Sequence, residues 1–165
     1  MDPVNANPVN AALHALLREA AVDYRTVQHE PTPTSADSAR ARGEELKVGG
    51  KALLIKTGDD FRLFVLSAAC SLDSGALKRH FGVKKTRFAD AGELERLTGL
   101  VPGSVPPFGR PILPLDLFVD PSVLANERIA FNAGLLTESI IMPVADYVRV
   151  AKPLTLEFAA PAEPK

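Results

Sequence analysis

The clearest hydrophobic pattern in the chain is a pair of short apolar runs joined by a polar turn. KALLIKT (51–57) and FRLFVLSA (61–68) are separated by the turn GDD. Runs of this length, rich in apolar residues and bounded by Gly and Asp, are typical of paired strands. The sequence therefore predicts a β-hairpin over 51–68.

Apolar residues recur at helical spacing in 8–21, with Asn7 as the predicted N-cap and Pro8 at the first helical position. Three further short helices are predicted to end at a glycine: one capped by Thr34 or Ser35 and ended by Gly43, one over 71–82 ended by Gly82, and one over 89–99 ended by Gly99. The predicted helices are therefore short and are spread between strands.

Strand-like runs fill most of the remaining sequence. They cover 23–30, 84–89, 112–120, 128–134 and 138–144. The segment 144–151 fits either a helix or a strand. Short turns rather than regular crossover helices join most of these runs, which favours an α+β fold with a curled, mixed or antiparallel sheet over a doubly wound fold. A Pro/Ala-rich tail over 153–165 is expected to be frayed.

The overall composition is that of one globular domain with little net charge. The 165 residues are 46% hydrophobic and 24% charged, with a net charge of −1. This balance argues against bulk electrostatic binding of DNA. One local stretch is nevertheless basic, with these cations: Lys78, Arg79, Lys84, Lys85 and Arg87. It is either a solvated face or a footprint for one or two phosphates of a nucleic-acid end.

Cysteine usage and the absence of long apolar runs bear on the compartment. Cys70 is the single cysteine, which excludes an internal disulfide and fits a reducing compartment. No apolar run approaches the roughly 20 residues that span a bilayer. The first ten residues lack the features of a secretory signal. We therefore expect a cytoplasmic protein with no membrane partner.

The side chains that carry most enzyme chemistry are not arranged in known motifs. The three histidines are scattered, so no metal site is predicted. The stretch PGSVP (102–106) lacks the second glycine that surrounds an activated serine, and Cys70 is more typical of a buried small hydrophobe than of a nucleophile. No glycine-rich phosphate loop occurs. The sequence predicts neither a metal nor a cofactor.

Three segments remain as candidates for a binding site. Lys51 follows two glycines and opens an apolar strand, where its ammonium either holds an oxygen ligand or extends to water. FNAG (131–134) either presents amide and backbone N–H groups to a ligand or forms a hairpin turn. GLVPGSVPPFGRP (99–111) is rich in Gly and Pro, so it is either a connector or a rigid wall around a small ligand.

Together these segments resemble a known family. The following stretches carry the resemblance: HEPTPTSADSARARG (29–43), GGKALLIK (49–56), GLVPGSVPPFG (99–109) and RIAFNAG (128–134). In order and spacing they are similar to the YbaK/ProX family of aminoacyl-tRNA deacylases, relatives of the editing domain of bacterial prolyl-tRNA synthetase. The resemblance covers about residues 10–150. It implies one editing domain over 1–152, with a largely antiparallel, open barrel-like sheet flanked by short helices.

The resemblance implies a free-standing enzyme that hydrolyses the ester between a wrong amino acid and the 3′ adenosine of tRNA. Lys51 matches the family's lysine that holds the backbone of the acceptor end. Ester hydrolysis needs an oriented water and N–H donors for the oxyanion. The expected catalytic positions beside Lys51 are Gly103, Ser104, Asn132 and Gly134. The expected substrate-binding residues are His29, Thr34, Ser35, Gly50, Val105, Pro106, Phe108, Gly109 and Ala133. The basic cations at 78–87 become the expected tRNA contacts.

The amino acid and the partners follow less directly from the resemblance. Members of the family act on small amino acids, including alanine, cysteine, serine, threonine and proline. Members that act on alanine often carry a histidine where this chain has FNAG, and Asn132 or Ser104 could hydrogen-bond a hydroxyl, which favours serine or threonine. The expected partner is the acceptor end of an aminoacyl-tRNA, with a synthetase as a further candidate. The alternative is a non-catalytic module that binds an amino acid or a tRNA end on the same fold.

Overall fold

Residues 7–161, the part of the chain that the computed structural model describes, contain six α-helices, ten β-strands and a short 3₁₀ helix (Leu46–Val48). The helices are α1 (Pro8–Glu19), α2 (Ser35–Arg42), α3 (Ser74–Phe81), α4 (Ala91–Thr98), α5 (Pro121–Leu124) and α6 (Val144–Ala151). The strands are β1 (Arg25–Gln28), β2 (Gly50–Thr57), β3 (Asp60–Ser67), β4 (Cys70–Leu72), β5 (Thr86–Phe88), β6 (Leu117–Val119), β7 (Arg128–Asn132), β8 (Glu138–Pro143), β9 (Leu154–Thr155) and β10 (Ala159–Pro161).

The predicted hairpin forms the centre of the largest sheet. β2 and β3 pair antiparallel along their whole length, from Gly50 opposite Ser67 to Thr57 opposite Asp60. β5 pairs with β2 on the outer side, while β6 and β9 extend the sheet beyond β3 in parallel orientation. A second sheet has the order β1-β8-β7, and β10 pairs with β4. The prediction of a mixed, largely antiparallel α+β fold is confirmed.

One parallel bridge joins the two larger sheets. It pairs Gly49, just before β2, with Ala130 of β7. The start of β2 therefore runs beside the second sheet, whereas its end, from Ile55 onward, pairs with β5. Between these two contacts, residues 51–53 have β3 as their only strand neighbour within residues 7–161. The sheet is open along this edge rather than closed into a barrel.

The central hairpin is buried on both faces. One face, which includes Leu54 and Val65, packs in the main hydrophobic cluster with α1 and β7. The opposite face, which includes Ile55 and Phe64, packs against α3 and Phe158. Because side chains alternate between the two faces of a strand, a continuous apolar run can supply both clusters at once.

Local sequence signals correctly locate several helix ends. The Asn7 side chain accepts a hydrogen bond from the Asn10 N–H at 3.0 Å, and the Thr34 hydroxyl accepts one from the Asp37 N–H at 3.1 Å. Thr34 rather than Ser35 is therefore the N-cap of α2. The three predicted glycine stops adopt left-handed backbone conformations: Gly43, Gly82 and Gly99. Glycine tolerates this conformation because it has no Cβ.

Two segments have a secondary structure that differs from the sequence prediction, and a third adopts one of the two structures that the sequence allowed. The strand expected over 112–120 is limited to 117–119, where it pairs with β3. Pro114 lies in the missing part and cannot donate to a strand ladder. The segment 144–151 is the helix α6. Residues 154–161, expected within a frayed tail, contain β9 and β10, whereas the last four residues of that tail lie outside the described part.

Asp120 explains why the tail packs against the domain. Its Oδ1 accepts hydrogen bonds from the backbone N–H groups of Phe158 and Ala159 at 2.8 and 2.9 Å. The Phe158 ring is fully buried against Phe64. One aromatic anchor and a buried carboxylate therefore order a segment whose composition is typical of a frayed end.

Candidate functional site

A cavity of about 530 Å³ lies along the open edge of β2. This volume is in the range of sites for small ligands. The start of α2, the first residues of β2, the loop 102–105 and the end of β7 form most of its wall. The lining residues are Thr32, Pro33, Thr34, Ser35, Ser38, Arg42, Gly49, Gly50, Lys51, Ala52, Leu53, Ala68, Pro102, Gly103, Val105, Asn132 and Leu136.

The cavity brings together predicted site residues from both halves of the chain. Seven of them line it: Thr34, Ser35, Gly50, Lys51, Gly103, Val105 and Asn132. These residues come from all four motifs of the family resemblance. The bridge between Gly49 and Ala130 holds the second and fourth motifs side by side, and the bond from Asn132 to the carbonyl oxygen of Gly103 joins the third to the fourth.

Lys51 supplies a positive charge at the open edge of this cavity. It is half-buried at the start of β2, where the strand has no neighbour on its outer side within residues 7–161. No carboxylate of the same range lies within 4 Å of its ammonium. An ammonium group offers three donors and no acceptor. Lys51 is therefore available to an anionic oxygen of a ligand.

Arg42 supplies a second, deeper positive charge that the sequence motifs did not indicate. Its Nε donates to Oγ of Ser139 at 2.8 Å and its Nη2 to Oδ1 of Asn132 at 3.2 Å. Asn132 in turn donates from Nδ2 to the carbonyl oxygen of Gly103 at 2.7 Å. Burial lowers the pKa of Arg42 to about 10, which leaves the guanidinium charged at neutral pH. Arg42 thus connects α2, β7, β8 and the Gly/Pro-rich loop.

The Ser139 hydroxyl couples this network to His29. Ser139 is fully buried, and its Oγ lies 2.8 Å from Nε2 of His29 and 3.1 Å from Oδ1 of Asn132. Nδ1 of His29 carries a hydrogen, since it lies 2.8 Å from the carbonyl oxygen of Glu30. The Ser139 hydroxyl has one proton, so it donates to only one of these two neighbours at a time. His29 does not line the cavity and contacts its wall through Ser139.

A cluster of polar side chains supports β8 behind the cavity. The Glu138 carboxylate is hydrogen bonded to His14 at 2.7 Å, to Gln28 at 2.8 Å and to Asn10 at 2.6 Å. Burial tends to raise the pKa of Glu138, but the hydrogen bonds from His14, Gln28 and Asn10 outweigh it and hold the pKa below its usual value. The ionised carboxylate of Glu138 is thus fully engaged next to Ser139.

The Gly/Pro-rich loop faces the cavity with two of its predicted site residues. Gly103 and Val105 line it, and the φ of +88° at Gly103 is one that residues with a Cβ rarely adopt. Ser104 is buried, and its hydroxyl donates to the carbonyl oxygen of Val101 at 2.8 Å. Pro106 is buried too and lies outside the cavity wall. This loop therefore forms part of the cavity wall.

Phe108 and Gly109 lie in the hydrophobic core. The Phe108 ring packs edge-on against the rings of Phe131 and Tyr147, with centroids 5.6 and 5.4 Å apart. A Cβ on Gly109 would lie 2.5 Å from the carbonyl oxygen of Leu115, closer than atoms can approach. Neither residue lines the cavity, and the same is true of the predicted binding residue Ala133. Their positions indicate a role in packing the loop.

The expected catalytic positions Gly103, Ser104 and Gly134 each offer a backbone N–H to an oxyanion, and two of these three groups are already paired. The Ser104 N–H donates to the carbonyl oxygen of Val101 at 3.1 Å, and the Gly134 N–H donates to that of Ser104 at 2.9 Å. The Gly103 N–H makes no such bond within residues 7–161 and lies in the cavity wall. Of the three, Gly103 is the one available to a ligand.

A second cavity of about 440 Å³ lies at the other end of β2 and is basic. It is lined by Lys56, Gly58, Asp59, Lys78, Lys84, Lys85, Thr86 and Arg87. Four of the five predicted tRNA contacts are therefore in one place. The fifth, Arg79, lies outside and contacts Asp73 at 3.8 Å. Arg87 is paired with Glu93 through two hydrogen bonds of 2.7 and 2.9 Å, whereas the four lysines of this cavity form no ion pair with residues 7–161.

Three polar residues that the sequence prediction did not include lie inside regular elements: Ser38, Arg42 and Ser139. Ser38 and Arg42 follow Ser35 on α2 at successive spacings of three and four residues, which places all three on one helix face. That spacing is the signal that could have identified them. Ser139 is a polar residue in the apolar strand β8, and its partner Arg42 lies 97 positions away along the chain. No local pattern connects those two.

Comparisons with known proteins find similarity over most of the chain. Residues 29–150 match the model of the family described as aminoacyl-tRNA editing domain. The chain is 36% identical over 152 residues to the multifunctional Ser/Thr-tRNA deacylase ProXp-y of Escherichia coli (strain K12), a match that covers 88% of this chain and 90% of that protein. The match thus spans nearly the full length of both proteins.

Two solved structures share the fold at low sequence identity. One is described as a candidate trans-editing enzyme for prolyl-tRNA synthetase. It superposes on this chain with a TM-score of 0.80 at 22% sequence identity, and the match covers 94% of this chain and 99% of the other chain. The other, of a hypothetical protein, gives a TM-score of 0.77 at 22% identity over 90% of this chain and 99% of its own. Both confirm the expected fold.

Metal ligation and membrane insertion find no support in the described part of the chain. Within residues 7–161, His, Cys, Asp and Glu side chains form no group of three or more that could hold a metal ion. None of the helices in the same range has the length and apolar character needed to cross a bilayer.

Proposed function

This chain belongs to the aminoacyl-tRNA editing domain family, and we propose that it is a trans-acting deacylase for tRNA mischarged with serine or threonine. The observation that carries the proposal is the cavity on β2, where Lys51, Arg42 and the free N–H of Gly103 meet several hydroxyl groups. The similarity to a Ser/Thr-tRNA deacylase over nearly the whole chain supports the same substrate class.

Hydroxyl recognition is assigned to Thr32 and Ser38. Their side-chain oxygens are hydrogen bonded to each other in the cavity wall, so one of the two hydroxyl protons remains for a ligand, together with oxygen lone pairs. The groups expected for this role are engaged elsewhere, since Asn132 Oδ1 accepts from Arg42 and the Ser104 hydroxyl donates to Val101. A site built to bind a substrate hydroxyl discriminates strongly against an analogue that lacks it.

Water is the nucleophile in the proposed reaction. The residues that line the cavity include no cysteine or histidine, and the Thr34 hydroxyl is engaged as the cap of α2. Attack of water on the ester carbonyl yields the free amino acid and the 3′ hydroxyl of the tRNA. The cavity contributes orientation and electrostatic stabilisation, which are the main sources of catalysis in such a site.

The strand β2 connects the cavity to the basic cavity at its other end. Lys51 lines the first and Lys56 the second, and five residues of strand at about 3.4 Å each separate their Cα atoms by about 17 Å. A tRNA 3′ end whose ester occupies the first cavity can extend its preceding nucleotides along the open edge of β2. We propose that Lys78, Lys84 and Lys85 bind the phosphates of those nucleotides.

Reversing two charges in the basic cavity is expected to weaken tRNA binding. For Lys84→Glu combined with Lys85→Glu, we expect the KM for mischarged tRNA to rise about tenfold, because two surface contacts to phosphate are each worth about 0.5–1 kcal/mol. The value of kcat is expected to stay the same, since neither lysine lines the first cavity. The salt dependence of binding should also become shallower by about one unit of slope for each phosphate that the variant no longer binds. Steady-state deacylation at several salt concentrations measures all three quantities.

The matched control reverses two lysines that lie outside both cavities. Lys47→Glu combined with Lys152→Glu changes the net charge by the same amount. An equal rise in KM for this control would show that only overall charge matters. An unchanged KM in the Lys84/Lys85 variant would remove the basic cavity from the proposed tRNA path.

The proposed function is tested with a panel of purified tRNAs carrying Ser, Thr, Ala, Cys or Pro. We expect fast release of serine and threonine and slow release of alanine, which lacks the hydroxyl. Release confined to alanine, cysteine or proline would contradict the assignment of Thr32 and Ser38. If a folded protein releases none of the five amino acids, the deacylase proposal fails and a module that binds the tRNA end takes its place.

A further inference from the structure

Arg42 is a buried cation that lacks an acidic partner. Its relative exposure is 9%, and no carboxylate of residues 7–161 lies within 4 Å of its guanidinium. Two acidic residues on neighbouring segments are occupied by other partners. Glu44 pairs with Arg128 at 2.8 Å and with Arg25 at 3.5 Å, and Glu138 is bound by the cluster around His14. The charge of Arg42 is therefore not neutralised by the fold.

Burying the charge of Arg42 without an acidic partner lowers the stability of the fold. Burial of an unpaired ion costs free energy, and buried charges in proteins are ordinarily paired or hydrogen bonded. Here the hydrogen bonds to Ser139 and Asn132 hold the side chain in place, but neutral acceptors leave the positive charge uncompensated. A ligand that brings negative charge into the cavity would compensate it.

The third nitrogen of Arg42, Nη1, is the one without a hydrogen-bond partner among residues 7–161. Nε and Nη2 are engaged by Ser139 and Asn132, whereas Nη1 has no acceptor among residues 7–161. Nη1 lies 3.6 Å from where a Cβ on Gly49 would be, and Gly49 lines the cavity. Nη1 is therefore a hydrogen-bond donor held next to Gly49 in the cavity wall.

We propose that Nη1 of Arg42 stabilises the negative charge that develops on the carbonyl oxygen of the scissile ester, an inference that rests on the proposed deacylase function. Water attacks the carbonyl carbon, and the electron pair of the C=O bond moves to the oxygen that Nη1 faces. When the tetrahedral species collapses, the bond to the ribose oxygen breaks and that oxygen takes up a proton from the attacking water. The products are the amino acid and a free ribose hydroxyl.

The depth and rigidity of Arg42 favour the ester oxygen over a phosphate. Lys51 is more exposed and lies at the open edge of the cavity, where the nucleotide backbone enters. Arg42 is held from two sides, and a preorganised donor is most effective where charge appears only in the transition state. Asn132 accepts from Arg42 and donates to the carbonyl oxygen of Gly103, so it links Arg42 to the loop residue that also lines the cavity.

The experiment compares turnover with ground-state binding in Arg42→Gln. We expect kcat on seryl-tRNA to fall at least about 100-fold, as when an oxyanion donor is removed. The Kd for a non-hydrolysable analogue, tRNA carrying serine in amide linkage, is expected to stay within about threefold of the wild-type value. Arg40→Gln is the matched control, since Arg40 lies on the same helix with its side chain 72% exposed and paired with Asp37. It is expected to keep the wild-type kcat.

The outcomes separate this inference from the function on which it rests. A wild-type protein that releases no serine or threonine overturns the deacylase function itself. Wild-type kcat in Arg42→Gln, or a loss of analogue binding as large as the loss of kcat/KM, overturns the role of Arg42 alone. If Arg42→Gln does not fold, the same measurements are made on Arg42→Lys. The lysine keeps the positive charge but not the guanidinium geometry. A kcat reduced at least about tenfold at unchanged Kd supports the proposal, and wild-type kcat contradicts it.

Discussion

Replacing Phe108 with alanine is expected to lower the free energy of unfolding by about 3–5 kcal/mol. The side chain is 1% exposed, and its ring fits between Phe131 and Tyr147 at the base of the Gly/Pro-rich loop. Truncation removes the ring and leaves a cavity that a close-packed core fills only in part. Native domains have about 5–15 kcal/mol of stability in total, so the decrease is a large fraction of it.

Thermal and urea denaturation measure the effect. At roughly 2–4 °C for each kcal/mol in a domain of this size, the expected fall in Tm is about 6–20 °C. The matched control is Phe88→Ala, because Phe88 is 57% exposed and its truncation should change stability by less than about 0.5 kcal/mol. The family resemblance implied that Phe108 binds substrate. A Phe108→Ala protein with near wild-type stability and impaired substrate binding would support that role and contradict a packing role.

Replacing Lys51 with alanine is expected to reduce kcat/KM for seryl-tRNA about 10- to 100-fold. Hydrogen bonds to charged groups contribute about 1.5–3 kcal/mol, and Lys51 is a cation at the open edge of the cavity with no carboxylate of residues 7–161 to hold it. If Lys51 binds the nucleotide backbone, as the family resemblance implies, most of the effect should appear in KM. Single-turnover rates measured over a range of enzyme concentrations separate the two effects. The enzyme concentration at half the maximal rate reports substrate binding, and the maximal rate reports the chemical step.

Two variants sharpen the interpretation of Lys51. Lys47→Ala is the matched control, since Lys47 is exposed, contacts Glu45 and lies outside the cavity. It is expected to behave as wild type. Lys51→Arg keeps the charge and should recover part of the activity. An unchanged kcat/KM in Lys51→Ala would exclude Lys51 from substrate binding. A decrease confined to kcat would indicate that Lys51 contacts the reacting ester instead of the nucleotide backbone.

These two substitutions separate positions that look alike in the sequence. Lys51 and Phe108 both belong to motifs of the family resemblance, and both were expected to serve the substrate. In the structure one lines the cavity and the other is enclosed by the core. A motif marks a segment whose conformation matters, but some side chains of that segment point to the ligand and others to the interior. Only packing distinguishes the two groups.

Local structure could be predicted well because its causes are local. The caps at Asn7 and Thr34 and the left-handed glycine after α2 depend on residues within four positions of each other. The same holds for the hairpin of β2 and β3, whose strands are joined by a two-residue turn. Of the predictions that differ from the structure, the shortened strand at 112–120 has a local cause in Pro114, whereas the ordered tail depends on a distant partner, Asp120.

The family, the class of fold and the segments that surround the cavity follow from the sequence alone. The electrostatics of the site depend on how those segments pack. Arg40 and Arg42 lie on one short helix with similar neighbours, yet one contacts Asp37 at the surface and the other is buried against Ser139 of β8. The properties of a charged side chain depend on its burial and on the groups around it. In this site those groups belong to segments that are far apart in the sequence and that no local pattern links.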